Sequence, residues 1–167
     1  MRASILSVSF VIALALPSPA DAAVTVAFVD PGNYRDAAFR RDDHQAEDAV
    51  LKGIESHLKH LGDRYLAADQ KLNVEILDID LAGRIAPWRP QLNGVRLMDD
   101  VTWPRIKLRY TLESNGVITS AEESVADMSY LARAHTYFSG DRLGYEKQML
   151  DDWFRARFVP SPGARTR

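Results

Sequence analysis

Residues 105–113 alternate without a break: Ile106, Leu108, Tyr110 and Leu112 are apolar, while Arg105, Lys107, Arg109, Thr111 and Glu113 are polar. Successive side chains of a strand leave opposite faces, so this run specifies a strand with one dry face and one wet face. Such a strand demands a sheet that is covered on one side only. Asn115-Gly116 follows at once, and these two residue types accept the positive φ angles of a two-residue hairpin turn. The chain from Val117 therefore returns as an antiparallel neighbour, with strand character to about 125 and an end near Met128.

The other elements are read against that hairpin. Residues 24–29 (VTVAFV) form a first strand, closed by the turn cluster Asp30-Pro31-Gly32-Asn33. Asp42 or Asp43 can cap a helix to about Leu66, since a short carboxylate accepts orphan backbone N–H groups. Along that helix Ala46, Val50, Ile54, Leu58, Leu61 and Tyr65 recur every three or four residues, which is one face of an α-helix. Residues 72–81 are dense in Leu, Val and Ile and read as a second strand, so the first three elements suggest a right-handed βαβ crossover. Residues 82–104, with Pro87, Pro90, Gly94 and Pro104, read as a long connection. Asp141 can cap a last helix to Phe158, with Leu143, Leu150, Trp153, Phe154 and Phe158 near one face, and 159–167 form a frayed tail. The order β-α-β-β-β-α gives an α/β fold class: a single two-layer domain over 23–158, with helices packed on a mixed sheet.

Two pairs of carboxylates stand out. Asp78 and Asp80 share one face of the second strand, yet Val74 and Ile76 have the same parity, so that face turns from dry to polar toward the carboxyl end. Ligands of open α/β sheets gather outside such ends, although a strand running out of the core into solvent looks the same. Glu122 and Glu123 are adjacent in a strand and cannot both face solvent. A two-residue turn sets Arg109 against Glu122 on the wet side and turns Glu123 inward. A three-residue loop over 114–116 sets Lys107 against Glu123 and turns Glu122 inward. An inward carboxylate needs a partner or a raised pKa, unless a bulge or an early exit from the core relieves it. Trp88 and Trp103, each beside proline, either form an aromatic binding surface or cap the core.

Other chemistry is poorly represented. Lys and Arg number 21 against 23 for Asp and Glu, a net charge of -2, which argues against a nucleic-acid binder driven by bulk charge. There is no Cys, and with it go disulfides, zinc–thiolate sites, iron–sulfur clusters, thiol catalysis and lipid attachment at an N-terminal Cys. His57 and His60 are three apart on the first helix and read as solvated side chains, since a metallohydrolase helix sets two His four apart around a Glu. No glycine-rich phosphate loop and no nucleophile elbow is present, so the reading assigns no cofactor, no metal and no catalytic residue. At the N-terminus, Arg2 precedes an apolar run over 5–16, Pro17 and Pro19 break it, and Ala20-Asp21-Ala22 fits a signal peptidase. The run falls short of the ~20 residues that span a bilayer. Residues 1–22 are therefore expected to be a cleavable signal peptide, and the mature chain, with no membrane span, to begin at Ala23 in the periplasm.

The runs 77–83 (LDIDLAG), 103–113 (WPRIKLRYTLE), 127–131 (DMSYL) and 145–154 (YEKQMLDDWF) together resemble a family of exported proteobacterial proteins known as domain of unknown function 3016. The resemblance covers nearly all of the mature chain and implies a Gram-negative, periplasmic protein, with no activity or ligand to carry over. Two functions follow as expectations. One is a non-catalytic protein that binds an envelope component or a protein partner through its sheet face or its Trp-bearing loop, using Asp78, Asp80, Trp88, Trp103, Arg109, Glu122 or Glu123. The other is a small hydrolase in which paired carboxylates converge in a concave pocket, one with a raised pKa.

Overall fold

A computed structural model describes residues 23–37, 44–85, 96–132 and 140–160. The expected leader, Asp42, Asp43, Trp88, and the tail beyond residue 160 lie outside the described residues. In chain order the elements are strand Ala23–Phe28 (β1), a 3-10 turn Pro31–Asn33, helix His44–Tyr65 (α1), strands Lys71–Asp80 (β2), Arg84–Ile85 (β3), Arg96–Leu97 (β4), Arg105–Ser114 (β5) and Val117–Ala126 (β6), and helix Gly144–Phe158 (α2). The main sheet has the order β1-β2-β5-β6, with β1 parallel to β2 and the other neighbours antiparallel. β3 and β4 pair with each other in a separate two-stranded ladder inside the expected connection. Strands of two residues are too short for alternation to reveal, which is why the sequence shows only a loop there.

The hydrophobic stripes decide the layering. Val50, Ile54, Leu58 and Leu61 of α1 and Met149, Leu150, Trp153 and Phe154 of α2 are buried against Leu72, Val74, Ile76, Ile106, Leu108 and Tyr110 of the sheet. Ala46, Tyr65 and Phe158 pack at the margin of this cluster. Both helices thus lie on one side, and among the described residues no helix covers the other. α1 approaches β1 closely at Gly62, where an added Cβ would run into the Val24 side chain. α2 begins later than Asp141 suggests, because Leu143 occupies the N-cap and makes no side-chain capping bond. Asp141 still serves that end: its Oδ1 accepts the Leu143 N–H at 2.9 Å and its Oδ2 takes Lys147 Nζ at 2.7 Å.

Candidate functional site

The hairpin turn settles the fate of the two glutamates. Asn115 (φ 52°) and Gly116 (φ 76°) form the two-residue turn, and β6 runs against β5 with Arg109 opposite Glu122 and Leu108 opposite Glu123. Glu122 stands on the wet face, 2.7 Å from Lys107 Nζ and 2.9 Å from Arg109 Nη2. Those two cations, Lys107 foremost, hold its carboxyl below the usual range. Arg109 also reaches Glu75 on β2 at 2.8 Å, so one guanidinium ties three strands together.

Glu123 turns inward and finds partners on α2. Trp153 Nε1 donates to its Oε2 at 3.1 Å, and Arg157 Nε lies 3.0 Å from its Oε1. The aromatic set beside it, Tyr110, Trp153 and Phe158, packs edge to face with centroids 5.3–5.8 Å apart. Burial, and then the charge of Glu123, push the Tyr110 phenol above its ordinary pKa.

Asp78 and Asp80 reach the wet face by a route that the alternation does not reveal. The β2–β5 register slips between Ile76 and Asp78, so Leu77 is an extra residue and the strand's parity flips there. No single face changes from dry to polar: Ile79 rejoins the core, while the two aspartates join Asn73 and Glu75 outside. There, Asp78 Oδ1 accepts the Arg35 N–H at 2.8 Å, and Asp80 Oδ2 lies 3.3 Å from Arg35 Nη1 and 2.9 Å from Arg105 Nη2. Trp103 is half-buried just before Pro104.

The four carboxylates therefore do not form one group: Asp78 and Asp80 share Arg35, while Glu122 and Glu123 stand elsewhere. Glu123 lines a cleft of about 300 Å³ between the end of β6 and α2, and Asp78, Asp80 and Glu122 are not among its lining residues. The wet face instead carries two ion-pair clusters, Glu75–Arg109–Glu122–Lys107 and Asp78–Arg35–Asp80–Arg105.

A family model described as a protein of unknown function, DUF3016, matches residues 22–156. The chain belongs to the DUF3016 family. No curated protein and no solved structure matches it.

Three polar residues of this DUF3016 domain escape a reading by periodicity. Glu146 is buried on α2; its Oε1 accepts the Ala82 N–H at 2.8 Å, and among the described residues its Oε2 has no hydrogen-bond partner. Burial pushes this carboxyl well above its ordinary pKa. From the other side Arg96, with 6% of its side chain exposed, donates to the carbonyls of Leu81, Ala82 and Gly83 and to Asp36. The segment leaving β2 is thus clamped at both its N–H and its C=O groups. Glu146 sits four residues before Leu150 and seven before Trp153, so a charge on the apolar face of α2 was the available signal. His57, expected to be solvated, is half-buried between the helices; its Nε2 lies 3.0 Å from both the Lys147 carbonyl and Asp151 Oδ1. Burial, foremost, lowers its pKa.

Proposed function

We propose that this DUF3016 protein is an exported, non-catalytic periplasmic protein that binds a protein partner of the cell envelope through the open face of its sheet. The observation that carries the reading is the helix-free face, whose acidic and basic side chains are already held in cross-strand ion pairs. Charges fixed in place lose little freedom on binding, and a pattern of both signs selects partners by complementarity. Asp78 and Asp80 are tied up by Arg35 and Arg105 on the open face, and of the four carboxylates Glu123 alone lines the cleft, so no pair of them shares the concave pocket that a carboxylate-pair hydrolase needs. Export is supported by the three-part N-terminus and by a family match that starts at residue 22, beside the expected cleavage point.

Photo-crosslinking in intact cells tests the proposal. A benzoylphenylalanine at Ser120, exposed on the open face, should give an adduct of discrete mass, and one at Lys52, exposed on α1, should not. No adduct from Ser120, or the same products from both positions, would refute the assignment of the face.

A further inference from the structure

We propose a second binding site, independent of the sheet face: the outer edge of β6 accepts an extended, lysine- or arginine-bearing polypeptide segment as an added strand, in the groove that α2 walls. β6 is the last strand of the sheet, and it pairs with β5 without a register shift over its whole length. In a two-residue hairpin the residues flanking the turn form a hydrogen-bonded pair, and such pairs then alternate. Ser114 with Val117 is that first pair, so Val117, Thr119, Ala121, Glu123 and Val125 spend their main-chain groups on β5. The bond from the Asp127 N–H to the Pro104 carbonyl continues the same parity. Ile118, Ser120, Glu122, Ser124 and Ala126 therefore direct their N–H and C=O groups outward. Among the described residues no backbone bond takes these groups.

The cleft lies on this edge. Its lining includes Ser124 from the wet side and Val125 from the core side, and residues of both parities meet a cavity only at a strand's margin. Met149 and Trp153 of α2 supply the opposite wall. An incoming strand would gain main-chain bonds from Glu122, Ser124 and Ala126, and every second side chain would enter the cleft, as in strand addition generally.

Charge names the occupant. Glu123, Asp127 and Asp152 line the cleft with Arg157, and Arg155 stands 3.5 Å from Asp152, so carboxylates still outnumber guanidinium groups there. β6 contains two Glu and no Lys, Arg or Pro, so it lacks the cationic and proline devices that commonly block strand edges. A second copy would bring another strand bearing two Glu and no cation, which opposes self-pairing. A basic strand meets the opposite situation.

The probe is a labelled, end-capped octapeptide of alternating Lys and Val, titrated by fluorescence anisotropy. It should bind about tenfold or more tightly than its Glu-Val counterpart, and than the same Lys-Val octapeptide N-methylated at every amide. Ser124→Pro removes one outward N–H and none that β5 uses, so it should weaken binding about tenfold while the variant still folds. Asp152→Asn should weaken Lys-Val binding and so narrow its margin over Glu-Val. Absence of Lys-Val binding, or equal binding of the N-methylated peptide, would overturn the proposal. So would a parent protein that sediments as a dimer which Ser124→Pro dissociates, since a second copy would then hold the edge. If Ser124→Pro does not fold, the N-methylated comparison on the parent decides alone.

Discussion

Glu122 and Glu123 differ by one position and live in different environments. Glu122 is exposed between two cations in water, where screening leaves an ion pair little net value. Glu123 is mostly covered and receives Trp153 and Arg157. Glu123→Gln should therefore lower stability by about 1 kcal/mol, the scale of a partly solvated charge-assisted hydrogen bond, while Glu122→Gln should melt close to the parent. Equal melting of both variants would show that Arg157 and Trp153 contribute nothing through Glu123. Glu146 makes a pH-dependent case. Its folded pKa lies above the unfolded value, so its contribution is fully present at pH values below the ordinary carboxylate range. It is lost as the pH rises toward the folded value. Glu146→Gln keeps an acceptor for the Ala82 N–H and cannot ionise. The melting temperature of this variant relative to the parent should rise between pH 4 and pH 7, and a flat difference would contradict a carboxyl whose pKa burial raises. The inward glutamate was legible because parity leaves no other choice for adjacent residues. Which glutamate it was depended on a turn length that the sequence permits in two ways. Arg96 was not legible at all, since its burial comes from carbonyls of a segment that no pattern brings to it.

At the scale of elements, legibility followed repetition. α1 and β5 contain enough periods for one face to be read, β6 follows from the turn that joins it to β5, and the four-stranded sheet and its two helices agree with that reading. β2 conceals its bulge because Leu77 is apolar and continues the run, so counting parity through it assigns Asp78 and Asp80 to the wrong side. Gly62 conceals its role in the opposite way. In an exposed helix interior, Gly→Ala gains roughly 1 kcal/mol from propensity. Here the new methyl group would enter the Val24 side chain and stand 3.2 Å from its Cβ, and a β-branched neighbour cannot swing away. Gly62→Ala should thus destabilise, by about 1–3 kcal/mol as overpacked sites do, and Val24→Ala in the same chain should recover part of the loss. A Gly62→Ala variant that melts above the parent would mean that α1 can lift off β1 at no cost.

At the scale of the whole molecule, the proposed cleavage point and the architecture meet at residue 23, where β1 begins. The protein recovered from a periplasmic extract should have its N-terminus at Ala23 or within a few residues of it, as intact mass will show; soluble protein still carrying Met1 would sink the export proposal. The register of β1 has one more consequence, for the order in which the chain can fold. Ala23 pairs with Lys71, and β2 in turn pairs with β5, so the first strand to be synthesised waits for a distant partner. Loop-closure entropy makes such non-local pairings slow, whereas the β5–β6 hairpin closes across two residues. The nascent chain therefore carries an unpaired VTVAF segment until most of the sequence has emerged, and a cell that makes this protein must keep that segment from other strands for the whole interval.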